Sequence, residues 1–537
     1  MVNTLAMGAN EHPSRAIARS ATGMVASPHA QATAAGLDVL RRGGNAVDAA
    51  IAANAVLCVV YPASCGIGGD ALWLVYEPRT HEAIAYNGSG RAPAALGAEW
   101  LLERGIREMP VRGPFSVTVP GCVRSWEDVA AAHGTRGLDE LLEAAERYAR
   151  DGFVATDVVE QFFARNEPLL RADPDATELF LRDGLPRAGD LVRNAPLAVS
   201  LAAIRREGAR ALYEGAIAEA ICRTLNTLGN PMQPGDLAAH TTERARPLAL
   251  DWHGARILAH PPNSQATVAQ IVLGALYDDG GASDLDWTHL AIEAIKEAFD
   301  IRDARIADPR SMDGTIAELL QPAALMAIRD RLSPDRARPR LAQTDRGDTI
   351  AIVAVDSEGR AVSLIESLYM NFGSGIVARG TGIFLQNRGS YFRLDPSHPN
   401  ALVGGRRPLH TLSPAMLLRD GRPEFVYGTM GGDGQPQIQV QLIHDVYERG
   451  MTVQAALDAP RFVYGRDSEG TFADTVRVES RFDAAIVAGL RARGHTVEFL
   501  GAYDHAAGHA HAIAIDRARG TLAGGSDPRA DSLALGL

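Results

Sequence analysis

The stretch TIAIVAVDSEGRAVSLIESLY, residues 349–369, carries the strongest structural signal in this 537-residue chain. Two runs rich in apolar and β-branched residues, 349–355 and 361–369, flank a polar turn sequence and predict a β-hairpin. The segment before it, RLSPDRARPRLAQTDRGD at 331–348, is rich in Arg, Asp and Pro and has almost nothing apolar to bury. This contrast predicts an exposed, mobile linker that ends where a buried strand begins.

The composition excludes two classes of partner. Hydrophobic residues make up 46% and charged residues 22%, the balance of an ordinary globular protein. The formal net charge is -12, so the chain has no global positive field for nucleic acid. The longest apolar stretch, 46–61, is interrupted by Asp48 and Asn54 and is shorter than the ~20 residues that span a bilayer. We therefore expect a buried helix there, and neither nucleic acid nor a membrane as a partner.

The cysteines and the N-terminal residues indicate the cellular compartment of the protein. No C-x-x-C spacing occurs, and the cysteines are too sparse to crosslink a chain of this length. They are Cys58, Cys65, Cys122 and Cys222. Residues 1–21 are polar and lack the apolar core of a secretory signal. Together these features predict a reducing, cytoplasmic location.

The remaining pattern predicts a mixture of helices and strands. Helical spacing runs over about 30–42, and Asn45 is placed to cap a second helix, which is apolar on all sides and therefore belongs in an interior layer. Residues 115–245 predict mostly helices, except that 167–196, rich in Pro, Asp and Arg, predicts a long surface connection. Further strands are expected at 71–76, 83–86, 382–386, 413–418, 424–428, 474–479 and 510–516.

Thr349 is the residue whose chemistry matters most in this pattern. If the peptide before it is cut, its hydroxyl becomes a nucleophile and its own α-amine, with a pKa of about 7.7–8.0, becomes a base near neutral pH. A polar linker that ends at such a threonine is typical of a self-processing hydrolase. The pattern alone also fits an ordinary first residue of a strand, and on this evidence that interpretation is favoured.

Several longer motifs resemble a known family, and this resemblance favours the interpretation of Thr349 as a nucleophile. Residues 347–392, RRPLHTLSPAML at 406–417 and YGTMGGDGQPQ at 427–437 resemble the small subunit of the gamma-glutamyltransferase family. GGNAVDAAIAANAVLCVVYPASCGIGGD at 43–70 and SGRAPAAL at 89–96 resemble its large subunit. The motifs occur in the family's order, and the chain is identified as a member from about residue 22 to 531.

The resemblance implies a fold and a subunit organisation. The family belongs to the N-terminal-nucleophile (Ntn) hydrolases, which implies an α+β fold, a four-layer αββα sandwich assembled from two self-cleaved subunits. Residues 1–348 would form the large subunit, which ends in the linker at about 331–348. Residues 349–537 would form the small subunit, and together the two make one αββα domain.

The resemblance also implies catalytic residues. Cleavage is expected between Asp348 and Thr349, which leaves Thr349 as the N-terminal nucleophile. Ser367 stands where the family has a second threonine that bonds the nucleophile, and a serine hydroxyl can fill that role. Gly431 and Gly432 match a glycine pair whose backbone N–H groups form the oxyanion hole.

The positions that hold the substrate depart from the family pattern. Members that act on γ-glutamyl compounds hold an α-ammonium with an aspartate and amide side chains, and hold an α-carboxylate with an arginine and two serines. The gapless position of that arginine is Ser89, and Arg91 follows two residues later. The substrate-binding positions in this chain are Ser89, Arg91, Tyr369, Arg388, Tyr391, His410 and Thr411. Compared with the family pattern, an aspartate is replaced by Tyr391 and an amide or acid by Arg388, so the pocket suits an anionic substrate. The sequence resembles a subgroup of the family that hydrolyses small amides such as oxamate.

The sequence therefore predicts a self-processing amidohydrolase with no metal or organic cofactor. Its predicted partners are a small-molecule amide and its own cleaved subunits as a heterodimer, and whether that heterodimer dimerises further is left open. One alternative is a glutathione hydrolase or γ-glutamyltransferase, in which Glu366 or Asp433 replaces the missing ammonium partner. Another, of a different class, is an uncleaved paralogue that only binds small metabolites.

Overall fold

A computed structural model describes residues 15–277, 282–340, 348–465 and 473–537. The predicted mixture of helix and sheet is confirmed. Within these ranges, none of the helices combines the length and the apolar character that a membrane span requires.

The helices of the described ranges are, in chain order, Ala30–Arg41 (α1), Ala46–Val60 (α2), Ala98–Glu103 (α3), Cys122–His133 (α4), Leu138–Leu141 (α5), Glu143–Asp151 (α6), Asp157–Arg165 (α7), Glu167–Ala172 (α8), Pro174–Phe180 (α9), Ala195–Glu207 (α10), Arg210–Tyr213 (α11), Ala216–Thr227 (α12), Pro234–Ala238 (α13), Thr267–Ala275 (α14), Asp284–Arg305 (α15), Pro322–Arg329 (α16), Gly434–Tyr447 (α17), Val453–Asp458 (α18) and Ala484–Ala492 (α19).

The strands of the same ranges are Ala18–Ser20 (β1), Met24–Ser27 (β2), Asp70–Glu77 (β3), Glu82–Gly88 (β4), Phe153–Val154 (β5), Leu191–Val192 (β6), Glu243–Ala245 (β7), Leu248–Trp252 (β8), Ala255–Ala259 (β9), Asp348–Val355 (β10), Ala361–Tyr369 (β11), Val377–Ala378 (β12), Ile383–Phe384 (β13), Ala415–Arg419 (β14), Arg422–Thr429 (β15), Phe462–Tyr464 (β16), Thr475–Glu479 (β17), Thr496–Leu500 (β18), Ala510–Asp516 (β19), Thr521–Ser526 (β20) and Leu533–Gly536 (β21).

Two antiparallel seven-stranded sheets form the centre of the molecule. One sheet has the order β21-β2-β10-β11-β3-β4-β7, and the other has the order β1-β20-β19-β15-β14-β9-β8. A buried apolar cluster contains Leu74 and Val353 from the first sheet together with Met416 and Ile513 from the second. The two sheets therefore pack face to face through alternate side chains.

Helices cover the other face of each sheet. Ile350 and Leu364 of the first sheet share an apolar cluster with α2, which is buried along its whole length. Leu417 of the second sheet shares a cluster with residues of α14, α15 and α17. As predicted, Asn45 caps α2, because its side chain accepts hydrogen bonds from the N–H groups of Val47 and Asp48.

Each sheet draws strands from both sides of residue 348. In the first sheet, β10 lies between β2 and β11, and β3 pairs with the far edge of β11. In the second sheet, β9 pairs with β14 and β1 pairs with β20. A chain cut before residue 349 would therefore remain joined by the ladder hydrogen bonds of two sheets.

Two sequence expectations differ from the structure. Residues 167–196 are not one long connection, because they contain α8, α9 and the start of α10. Asp173 accepts a hydrogen bond from the N–H of Ala176, and Pro174 occupies the first turn of α9, where a missing N–H costs nothing. The Pro and Asp residues that suggested a loop are in fact helix-start residues.

The first part of the expected linker is also ordered against a helix. Arg338 and Arg340 bond Asp300 of α15 at 2.8 Å and 2.6 Å, and Arg340 bonds Asp303 at 2.7 Å. The Arg340 side chain is buried. Residues 331–340 are thus held by charge pairs, which an analysis based on apolar content misses, and residues 341–347 of the expected linker lie outside the described residues.

Arg360 provides a test of how the two halves are held together. Its buried guanidinium pairs with Glu77 of β3 and with Asp356 of the hairpin turn, both at 3.1 Å. Replacing Arg360 with Met leaves the buried carboxylate of Asp356 without its cation and Glu77 with Arg79 at 3.0 Å, and we expect a loss of about 3–5 kcal/mol of stability in urea unfolding. Arg422→Met, at an exposed arginine, is the matched control. Equal unfolding midpoints for the two variants would contradict this account.

Candidate active site

Thr349 lies at the start of β10 with its side chain fully buried. Its hydroxyl donates to Ser367 Oγ at 3.3 Å, and Gln435 Nε2 donates to Thr349 Oγ1 at 3.3 Å. The register of β10 and β11 produces this contact, because Ile350 pairs with Glu366 after an irregularity at the strand's first residues. An acceptor, Ser367, and a donor, Gln435, therefore orient the Thr349 hydroxyl, and the two residues predicted to act together are adjacent.

Strand β11 ends at Tyr369 in an unusual backbone conformation. Tyr369 has a φ of 80°, in the left-handed region that non-glycine residues rarely adopt. Its N–H donates to Ser367 Oγ at 2.6 Å, and its ring lies 4.3 Å from the guanidinium carbon of Arg388. Tyr369 thus connects the predicted nucleophile pair to a buried cation.

Gly431 and Gly432 form the turn between β15 and α17. Their φ angles are 128° and 55°, which favour glycine. Neither of their backbone N–H groups has a hydrogen-bond partner among the described residues. The Gly432 carbonyl accepts from Gln265 Nε2 at 2.9 Å and from the N–H of Gln435, whose side chain reaches Thr349. Two unused donors near a helix N-terminus, in a turn that Gln435 links to Thr349, suit a developing oxyanion.

Arg388 lies at the centre of the predicted substrate positions. It is fully buried, its Nη1 donates to Thr411 Oγ1 at 2.9 Å, and its guanidinium lies 5.8 Å from the ring of Tyr391 as well as near Tyr369. Its Nε and Nη2 have no hydrogen-bond partner among the residues that the structure describes. Burial lowers the pKa of Arg388. Because arginine nevertheless stays protonated, the site contains a desolvated cation with one edge unused.

His410 is bonded to an aspartate that sequence reasoning did not assign to the site. His410 Nε2 lies 3.1 Å from Asp70 Oδ2, and its Nδ1 accepts from the N–H of Leu412, so the ring hydrogen lies on Nε2. Asp70 Oδ1 also accepts from Gln386 Nε2 and from the N–H of Gly90, both at 2.9 Å. Burial raises the pKa of Asp70 to about 7 and lowers the pKa of His410. His410 is therefore a neutral, fixed ring.

Asp433 is held by a buried arginine. Arg302 of α15 pairs with Asp433 Oδ1 at 2.6 Å, and the Tyr391 hydroxyl donates to the same oxygen at 3.1 Å. Arg302 Nη1 also donates to Gln265 Oε1 at 2.8 Å. The negative charge of Asp433 is thus compensated within the protein.

The remaining predicted positions have other partners. Ser89 is buried, and its hydroxyl donates to Asn87 Oδ1 at 2.6 Å. Arg91 pairs with Glu243 and, at 3.3 Å, with Asp308. The structure therefore brings Thr349, Ser367, Tyr369, Arg388, Tyr391, His410, Thr411, Gly431 and Gly432 into one connected network, and Arg91 belongs to a separate ion-pair cluster.

Sequence reasoning missed four residues of the network. Asp70 ends the GIGGD motif and Gln435 lies in GGDGQPQ, so both were within recognisable motifs and only their roles were unassigned. Gln265 and Arg302 lie outside every motif quoted above. Only the packing of α15 against the second sheet brings Arg302 to Asp433.

Comparison with known proteins extends these observations. The family model described as gamma-glutamyltranspeptidase matches residues 32–537. A glutathione hydrolase-like YwrD proenzyme of Bacillus subtilis is 39% identical over 96% of this chain and 98% of its own length. An oxamate amidohydrolase proenzyme of Klebsiella pneumoniae is 39% identical over 96% of this chain and 99% of its own length.

One solved structure is also similar to nearly the whole chain. The crystal structure of a cephalosporin acylase from Bacillus halodurans has a TM-score of 0.91 and 34% sequence identity, and the similarity covers 98% of both chains. The family prediction made from the sequence motifs is confirmed, and the chain belongs to the gamma-glutamyltranspeptidase family.

Proposed function

We propose that the protein is a self-processing Ntn amidohydrolase that hydrolyses a small carboxylate-bearing amide of the oxamate type. The class of enzyme rests on family membership and on relatives named as hydrolases and acylases. The substrate class rests on one observation, the unused Nε and Nη2 edge of Arg388 inside the network of Thr349. That edge of a guanidinium matches the two oxygens of a carboxylate.

The surroundings of Arg388 favour an anion over a zwitterion. A desolvated cation gains from a charge-assisted pair, whereas an α-ammonium beside it would be repelled and left without a partner. The two carboxylates considered as ammonium partners are both engaged. Asp433 pairs with Arg302, and Glu366 lies on the other face of β11, where its carboxyl contacts Asn54 and Cys58. This arrangement supports oxamate-like substrates over γ-glutamyl compounds.

The proposed reaction uses groups of this chain alone. After cleavage, the α-amine of Thr349 takes the hydroxyl proton as Oγ1 attacks the amide carbon. The N–H groups of Gly431 and Gly432 stabilise the oxyanion, and the amine then returns the proton to the departing nitrogen. Water, deprotonated by the same amine, hydrolyses the ester and restores Thr349. Ser367 orients the nucleophile throughout.

We also propose that the two fragments form a heterodimer with a sandwich fold. The two sheets and the helices on their outer faces support a four-layer αββα sandwich, in which residues 1–348 and 349–537 persist as a heterodimer after cleavage. The free, buried state of all four cysteines supports the cytoplasmic location that the sequence predicts.

Maturation distinguishes the enzyme from an uncleaved metabolite-binding paralogue. We expect purified protein to separate on a denaturing gel into fragments 1–348 and 349–537 that co-elute under native conditions. Thr349→Ala should stay full length, because the residue that attacks its own peptide is lost. Intact mass spectrometry locates the cut. A wild-type chain that remains full length after prolonged incubation would favour the paralogue.

Ser367 tests the orientation of the nucleophile. Ser367→Ala should lower kcat by about 10²–10⁴, the range of groups that handle a proton, and Ser367→Thr should retain most activity. Ser363→Ala is the matched control, since this serine lies on the same strand and donates to the Tyr427 carbonyl at 2.8 Å, away from Thr349. Similar rates for Ser367→Ala and Ser363→Ala would assign Ser367 a structural role only.

Arg388 tests the substrate class. We expect ammonia release from oxamate and weak activity on a γ-glutamyl anilide. Arg388→Gln should lower kcat/KM for oxamate about 10- to 100-fold, because charge-assisted hydrogen bonds of about 1.5–3 kcal/mol are lost. Arg91→Gln, in the separate ion-pair cluster, should change kcat/KM little. A wild-type preference of about tenfold or more for the anilide would show that the pocket still accommodates an amino acid.

A further inference from the structure

The face of β11 opposite the nucleophile carries a second cluster of reactive side chains. Cys58 of α2, Cys65 of the turn that follows α2, and Glu366 of β11 place one ligand atom each within 4.8 Å of one another. All three residues are buried. They are separated by up to about 300 positions in the sequence, and only the packing of α2 on the first sheet brings them together.

The carboxyl group of Glu366 contacts an amide, a thiol group and a backbone N–H group. Its Oε2 lies 3.4 Å from Asn54 Nδ2 and 3.9 Å from Cys58 Sγ, and its Oε1 accepts from the N–H of Gly66 at 3.2 Å. No Lys, Arg or His side chain pairs with it among the described residues. Burial raises its pKa well above the ordinary value. Fully buried glutamates are rare unless they are paired, and a bound cation would supply the partner that this carboxyl group lacks.

A small cavity lies beside Cys58 and Cys65. Its volume is about 20 Å³, and Cys58, Cys65, Pro62 and Ile383 contribute to its wall. A space of this size holds one water molecule or one small ion. Glu366 is not among the residues that line it, so the cavity adjoins the two cysteines and not the carboxyl group.

We propose that Cys58, Cys65 and Glu366 bind one divalent cation of the zinc type. Two thiolates and a carboxylate belong to the ligand set that Zn²⁺ prefers, with Zn–S distances of about 2.3 Å and Zn–O distances of about 2.0–2.2 Å. Ligand atoms that share one zinc ion therefore lie within about 4 Å of one another, so small side-chain rotations close the site. Zinc is bound by two thiolates and a carboxylate, so any proton that these groups carry is released to solvent on binding.

The position of this site gives it a structural role. Ser367 follows Glu366 directly, and the turn 66–69 that leads to Asp70 follows Cys65. A cation held here joins α2, this turn and β11 beneath the nucleophile, without contact with the reacting atoms. The proposal is independent of the substrate assigned above.

Cadmium, which gives an ultraviolet thiolate-to-metal absorption, is the probe for the test. Reduced, chelator-treated full-length protein is titrated with Cd²⁺, and Zn²⁺ affinity is measured against a chromophoric chelator. We expect one ion per chain and a higher thermal midpoint with Zn²⁺. Cys58→Ser, Cys65→Ser and the isosteric Glu366→Gln should each weaken Zn²⁺ binding at least about tenfold. Cys222→Ser, at the cysteine of α12, is the control and should bind as the wild type does.

Two results would overturn the proposal. The first is a Cd²⁺ titration of the wild-type protein that gives no stoichiometric charge-transfer absorption. This result does not depend on whether the cysteine variants fold. The second is unchanged Zn²⁺ affinity in Glu366→Gln, or an equal loss in Cys222→Ser, since either would show that the ion binds elsewhere.

Discussion

The antiparallel pairing of β10 with β11 is the constraint on which the site depends. It brings the hydroxyl of Thr349 to Ser367, and the pleat sends Ser367 and Glu366 to opposite faces of the sheet. One face then takes part in the network of Thr349, while the other packs on α2. A slip of one residue in this register would exchange the two faces and separate Ser367 from Thr349.

The buried arginines near this strand pair differ in their partners. Arg302 and Arg360 each have carboxylate partners within the protein, and their desolvation is offset by those pairs. Arg388 has a hydroxyl, two aromatic rings and an unused edge. The carboxylates of Asp70 and Asp433 interact electrostatically with Arg388, but neither occupies the unused edge. The proposed carboxylate substrate would occupy this edge, so the substrate proposal depends on this guanidinium more than on any other group of the network.

The sequence predicted those parts of the fold that depend on neighbouring residues, such as hairpins and helix caps. The hairpin of β10 and β11 follows from two apolar runs and a polar turn, and the start of α2 follows from the capping side chain of Asn45. Expectations failed where charge replaced apolar contact, as in residues 331–340, or where Pro began a helix, as in α9. Arg302 and the grouping of Cys58 with Cys65 and Glu366 arise from packing between distant segments. No spacing rule applied to a single sequence contains that information.

The interleaving of strands from both sides of residue 348 has a consequence for biosynthesis. β10 lies between β2, near the start of the chain, and β11, while β2 also pairs with β21 near the end. Contacts that join such distant segments form late, because closing long loops is entropically costly. The environment of Thr349 is therefore complete only when nearly the entire polypeptide has been synthesised and correctly arranged. If the proposed cleavage requires that environment, misfolded or truncated chains would remain uncleaved and inactive.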